Sequence, residues 1–225
     1  MEMTTSFKDF LDQRQYLHYQ AGIFDLDNTL YAYAPCNQYA QKQLFERISL
    51  ETGFPVSQID TAYKTARTVV HNRLSGTAAM HSRFLYIQTM LESLHYKTMV
   101  DRTLQLHEFF WGCYFSKMKL FEWVLPLFND MRAHEIKIAI LTDLTAEVQF
   151  RKLQKLGILP FIEWVITSEE VGAEKPHQET IDICLKKLNK SPENLFFVGD
   201  DPKKDTVGEI LGIQTILFNY RAEGS

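Results

Sequence analysis

Acidic, hydroxyl and ammonium groups gather at four places in this 225-residue chain. The first is Asp25-Leu26-Asp27-Asn28-Thr29-Leu30, where two carboxylates stand two residues apart. Such a pair can converge on one small volume. One carboxylate can attack phosphorus as a nucleophile, and the other can exchange a proton with the leaving oxygen. Their mutual repulsion calls for a hard cation with oxygen ligands, shared with a third acid. The second place is Thr142 followed by Asp143. A hydroxyl there can donate to a phosphate oxygen, and the N–H groups that open the next helix can add to it. The third is Lys175 in Gly172-Ala173-Glu174-Lys175-Pro176, where the proline restricts the backbone of the lysine. An ammonium held in this way can neutralise a nucleophilic carboxylate and a phosphoryl group in transfer. The fourth is Gly199-Asp200-Asp201-Pro202-Lys203-Lys204-Asp205. Asp200 is placed to bind the cation, while Asp205, with Asp201 beside it, can orient its waters or Lys175 from behind.

Each group also has a plainer use. A DxD after a strand closes an Asx-type turn. Thr142, Asp143 or Thr145 serves as a helix N-cap. Lys175 serves as a solvated loop lysine. The acids of the fourth place favour a helix N-terminus through its dipole.

The elements that would carry these groups are short apolar runs ending in polar residues. They are Ala21–Phe24, Ile136–Leu141, Trp164–Ile166, Leu195–Val198 and Thr215–Phe218. Continuous apolar runs of this length suit strands buried on both faces of a parallel sheet. Helical patterns over Ala146–Leu156, Glu179–Leu188 and Lys204–Leu211 separate the later runs, with Gly157 and Gly212 as C-caps. Alternating strands and helices imply right-handed βαβ units. Ligands of open parallel sheets bind beyond the carboxyl ends of the strands. Asp25, Thr142, Ser168 and Asp200 all sit at or just past such ends, so the four places share one rim. The stretch from Tyr33 to Trp111 shows no strand and reads as helices over Asn37–Glu51, Ser57–Asn72, Met80–Leu94 and Met99–Trp111.

Composition bounds the rest. At 45% hydrophobic residues the chain can bury one sizeable core with an appended helical unit. A net charge of −4 supplies no bulk field for nucleic acid or an anionic membrane. Cys36, Cys113 and Cys184 are scattered and form no CxxC pair, which fits a reducing compartment. Met1–Gln20 is polar, and no run reaches membrane-spanning length, so the expectation is a cytoplasmic protein. Ala222–Ser225 reads as a loose tail.

The ordered set DxDxT, Thr, Lys-Pro, GDDxxxD resembles the haloacid dehalogenase superfamily of hydrolases. The likeness runs from Ala21 to Phe218 and includes Gln149–Ile158 and Ser168–Gly172. It implies a Rossmann-like three-layer α/β sandwich over 1–32 and 112–225. An all-helical cap over 33–111, of the subfamily I kind, would be inserted after the first strand, with Tyr31–Pro35 as hinge and flap. It implies a phosphatase acting on a small organic phosphate such as a nucleotide or sugar phosphate. Asp25 would become an aspartyl-phosphate, and Asp27 would act as general acid and then base. Thr142, Asp143 and Lys175 would hold the phosphate. Mg²⁺ would be bound by the Asp25 carboxylate, the Asp27 carbonyl and Asp200, with Asp205 and Asp201 behind. Asp143 stands where many relatives carry Asn, and Asp201 where many carry Ser.

Cap residues within reach of a substrate are Arg73, His81 and Arg83, with Arg67, His71 and Tyr86 nearby; each also reads as part of a solvated helix face. Tyr96, Phe109, Phe110, Trp111, Tyr114 and Phe115 read as packing between cap and core. The partner is a small phosphate ester, with no nucleic acid and no membrane, and the chain is a monomer or homodimer. Two other readings stay open: a 2-haloacid dehalogenase, and a non-catalytic phosphate-binding module of the same fold. Asp27 weighs against both, since a halide needs no proton and a receiver-type module does not turn over its phosphate. A phosphonate hydrolase would need a cap lysine, and nothing marks Lys64 or Lys97 as one.

Overall fold

A computed structural model describes residues 6–95, 97–206 and 208–219. Tyr96 and the tail Ala222–Ser225 lie outside the described residues. The chain forms two compact units, Met1–Ala32 with Lys119–Ser225, and Tyr33–Met118.

The first unit is built on five parallel strands: β1 (Ala21–Phe24), β2 (Lys137–Thr142), β3 (Trp164–Thr167), β4 (Leu195–Gly199) and β5 (Gln214–Leu217). Their order is β3-β2-β1-β4-β5, so β1 is central. Every residue of β1 and β4 is buried, because helices cover both faces. The helices of this unit are α1 (Phe7–Asp12), α6 (Val124–Ala133), α7 (Ala146–Leu156), α8 (Ser168–Val171) and α9 (Gln178–Leu188). On one face Phe10 of α1 and Phe128 of α6 meet the rings of Phe196 and Phe24. On the other, Ile181, Cys184 and Leu188 of α9 pack with Ile23, Leu141 and Phe197.

Register fixes the rim. Phe24 pairs with Ile140 and with Val198, and Thr142 pairs with Thr167. Residues just past these pairs therefore leave the sheet at one edge.

The second unit is helical: α2 (Tyr33–Thr52), α3 (Val56–Arg73), a 3-10 turn at Ala78–His81, α4 (Arg83–His95) and α5 (Val100–Ser116). Its core holds Leu44, Ile48, Ile59, Tyr63, Tyr86, Met90, Leu106, Phe110, Trp111 and Tyr114. The unit runs past the expected end at residue 111 to Met118, because α5 continues through Ser116. The expected flap Tyr31–Pro35 is already helical from Tyr33. Pro35 is tolerated there, since a first-turn N–H has no intrahelical partner to lose.

One further local expectation needs correction. Lys204–Leu211 is not one helix but a turn followed by a 3-10 turn at Glu209–Leu211. Gly208 lowers the helix propensity, and Asp205 is drawn into contacts with Lys175 and the Asp201 N–H. Helices α1 and α6 had no counterpart in the sequence reading. Among the described residues no helix is long and apolar enough to cross a membrane.

Candidate active site

Asp25 is the first residue past β1, and its N–H still donates to Val198 of β4 at 2.9 Å. Its carboxylate is buried. One oxygen accepts from Lys175 Nζ at 2.7 Å, and the other accepts from the Thr29 hydroxyl at 3.2 Å. Lys175 is itself buried and gives a second bond to Asp205 Oδ1 at 2.6 Å. The other oxygen of Asp205 accepts from the Asp201 N–H at 2.9 Å. Asp205 therefore ties the loop after β4 to the loop after β3. Gly199 makes this possible, because a Cβ there would collide with the Asp205 carboxylate.

Asp25, Asp200 and Asp205 each offer an oxygen within 4.8 Å of the others. Lys175 bonds two of these three carboxylates. The excess negative charge shows in the proton affinities. Burial, with Asp205 adding repulsion, pushes the Asp200 carboxyl up to about 6. Burial also raises Asp25 above the usual carboxylate range, against the pull of Lys175. Burial would depress Lys175, but Asp25, Asp205 and Asp143 overcome it and hold the lysine charged. A donor set of carboxylate oxygens with surplus negative charge fits a hard divalent cation such as Mg²⁺.

Asp27 lies outside that cluster. Its carboxylate is gripped by Lys152 Nζ at 2.7 and 2.8 Å, by the Tyr31 hydroxyl, and by Gln149 Nε2 at 3.4 Å. Burial alone would raise its pKa, but the ammonium and the hydrogen bonds win and lower it. Lys152 is completely buried. Neither Lys152 nor Gln149 was singled out from the sequence, although a signal existed. They stand at i and i+3 on the face of α7 that also buries Val148 and Leu153, where helical period calls for apolar side chains.

The remaining expected residues divide. Thr142 is buried at the end of β2, and its hydroxyl accepts from Gln149 Nε2 at 2.6 Å. The Asp143 carboxylate is committed to Lys204 Nζ at 2.8 Å and to the Lys175 N–H at 3.0 Å. These two bonds tie the lysine loop and the turn after β4 to the loop after β2. Ser168 accepts from the Leu144 N–H at 2.9 Å and so anchors the loop after β2. Asp201 contributes its backbone, while its carboxylate closes its own turn on the Lys203 N–H at 2.8 Å. In the helical unit Arg73 is exposed, His81 is half-buried and Arg83 is buried.

Residues 22–218 match the family described as haloacid dehalogenase-like hydrolase. The chain is 35% identical over 206 residues to a ribulose-1,5-bisphosphate 5-phosphatase of Halopiger xanaduensis, covering 90% of this chain and 86% of the relative. It is 25% identical over 201 residues to a glyceraldehyde 3-phosphate phosphatase of Methanothermobacter thermautotrophicus, covering 89% and 85%. In three dimensions it is similar to YfnB of Bacillus subtilis, a HAD-hydrolase crystallised bound to magnesium. That likeness has a TM-score of 0.65 at 21% identity, over 90% of this chain and 89% of the other.

Proposed function

Since the chain belongs to the haloacid dehalogenase-like hydrolases and is a phosphatase of that family, we propose that it hydrolyses small sugar-phosphate monoesters through a phosphate ester formed on Asp25. One observation carries this reading: the buried Asp25 carboxylate at the exit of β1 is bonded to Lys175 and stands within reach of Asp200. The names of the two relatives support sugar phosphates over other esters.

The residues divide the work as follows. An Asp25 oxygen attacks phosphorus, and the bond from phosphorus to the sugar oxygen breaks. Lys175 neutralises the attacking carboxylate and the phosphoryl oxygens. The departing oxygen takes a proton from Asp27. An incoming phosphate dianion adds negative charge beside Asp27 and so raises its proton affinity above that of the free site. In the second step Asp27, again a carboxylate, takes a proton from water. That water attacks phosphorus, the bond to Asp25 breaks, and inorganic phosphate leaves. The donors around Asp27 suit this base form directly. Asp25 and Asp200 would hold Mg²⁺ with the Asp27 carbonyl, and Asp205 would stand behind them. When bound, the cation offsets the charge of the nucleophile and of the phosphoryl oxygens. Thr142 and the backbone after it would hold the phosphate.

The test is release of inorganic phosphate from a panel of sugar phosphates, with mass analysis for a phosphorylated Asp25. Turnover without any phospho-aspartate, trapped or mimicked by beryllium fluoride, would overturn the mechanism. Preference for 2-haloacids would overturn the substrate class.

A further inference from the structure

Two consecutive residues of the turn after β4, Lys204 and Asp205, hold Lys175 from its two ends. Asp205 takes the ammonium of Lys175 at 2.6 Å. Lys204 acts at the other end through Asp143, whose carboxylate accepts from Lys204 Nζ at 2.8 Å and from the Lys175 main-chain N–H at 3.0 Å. Lys204 also comes within 3.9 Å of the carboxylate of Glu174, the neighbour of Lys175 in the chain. Burial alone would lower the pKa of Lys204. Its bond to Asp143 and the fields of Asp143 and Glu174 outweigh that and raise it, against the repulsion of Lys175. The loop that carries Asp143 is under backbone strain, since Leu144, the next residue, has a φ of 92°. A bulky residue keeps such a conformation only where its surroundings hold it. Here Ser168 takes the Leu144 N–H, while Lys204 and the Lys175 N–H hold the Asp143 carboxylate.

Acids crowd Lys175. Asp25 and Asp205 bond its ammonium, and Asp143 adds to the field that holds it charged. A phosphoryl group brought to Thr142 and Lys175 is itself an anion, so an Asp143 carboxylate without a counter-charge would repel it. An amide at that place would accept from the Lys175 N–H without this penalty. The carboxylate gains a second bond, to the turn after β4, and needs a cation there in return. We propose that Lys204 is a positioning residue for phosphate binding: it neutralises Asp143 and fixes it as the anchor of the Lys175 main chain. The part given to phosphate rests on the phosphatase reading above.

The experiment compares wild type with Lys204→Met, Lys204→Arg, Asp143→Asn and the double variant Asp143→Asn/Lys204→Met, all at one Mg²⁺ concentration. Two readouts are taken: kcat and KM on a sugar monophosphate, and the affinity for inorganic phosphate from its effect on the melting temperature. Lys204→Met is expected to raise KM and to weaken phosphate binding, each by about tenfold, with a smaller change in kcat. Lys204→Arg keeps the counter-charge and should lose less than about threefold in either. The double variant should bind phosphate at least about threefold better than Lys204→Met, because the charge that Lys204 offsets has gone too.

A double variant no better than Lys204→Met overturns the proposal. So does a Lys204→Met chain that melts lower yet keeps its KM and phosphate affinity, which would make the lysine a strut of the fold alone. If Lys204→Met does not fold, the double variant against Asp143→Asn makes the same test: with Asn at 143, Met at 204 should cost less than about twofold in phosphate affinity, and a larger cost overturns the proposal. Phosphate binding is read without turnover, so the two readings fail separately. A chain that hydrolyses no sugar phosphate yet binds inorganic phosphate in a Lys204-dependent way sinks the substrate class and leaves this role standing. Turnover on sugar phosphates with phosphate affinity indifferent to Lys204 does the reverse.

Discussion

The ammonium of Lys152 bonds both carboxylate oxygens of Asp27, at 2.7 and 2.8 Å, from a fully buried position on α7. A carboxylate held at both oxygens has little freedom to turn. Its orientation is therefore set by a helix that follows β2 together with Tyr31 of its own loop.

Lys152→Met is expected to leave Asp27 as a poorly compensated buried charge and to cost on the order of 3 kcal/mol of stability. Its kinetic effect should depend on the leaving group. On sugar phosphates, whose alkoxide must be protonated, kcat should fall more than about tenfold. On para-nitrophenyl phosphate, whose leaving group needs no proton, the fall should be smaller. Equal losses on the two substrates would mean that Lys152 does not act through Asp27.

Asp25→Asn should reduce turnover at least about a thousandfold, as expected for loss of a nucleophile. The fold should survive, because the change removes one of three crowded carboxylates and leaves Lys175 bonded to Asp205. Circular dichroism and calorimetry check the second half of this statement. A melting temperature well below wild type would contradict it.

Mg²⁺ should stabilise the protein more as pH rises. The folded state pushes the Asp200 carboxyl up to about 6, so it binds that proton more tightly than the unfolded chain does. The metal-free protein therefore loses stability as pH climbs from the ordinary carboxylate range through about 6. A divalent cation replaces the proton and removes the repulsion. The rise in melting temperature on adding Mg²⁺ should grow by about 2–6 °C between pH 5 and pH 7.5. Chelation should abolish turnover, and Mg²⁺ should restore it. A shift independent of pH would separate the cation from Asp200.

Gly199→Ala places a methyl against the Asp205 carboxylate. Overpacking of this kind costs about 1–3 kcal/mol. It also displaces the acid that holds Lys175, so activity should fall by more than tenfold. An active, fully stable alanine variant would show that the contact is slack.

The strand ends were legible because an apolar run that stops at an acid or hydroxyl has one reading in a parallel sheet. Asp25, Asp200 and Asp205 each turn an oxygen toward one small volume, and Lys175 bonds two of them. Lys152 and Gln149 were harder. A lysine on a helix is normally solvated, and only its place on the buried face of α7 marks it out. Asp143 and Asp201 were grouped with the chemistry by position alone. Their partners, Lys204 Nζ and the Lys203 N–H, depend on how the turn after β4 closes. No local periodicity encodes that closure, and the same turn defeated the expected helix over Lys204–Leu211. Arg83 was read as a residue within reach of a substrate or else on a solvated helix face, and its burial follows from the packing of α4 within the helical unit.

The central place of β1 in the sheet has a consequence for the newly made chain. Ala21–Phe24 leaves the ribosome before either of its hydrogen-bonding neighbours, Lys137–Thr142 and Leu195–Gly199, has been made. The helical unit lies between them in the chain and can close on contacts of its own while these four residues wait unpaired. Pairing across such long stretches of chain is slow. A nascent polypeptide halted before Leu195 would carry Asp25 but neither Asp200 nor Asp205, and so would have no pocket in which that acid could react.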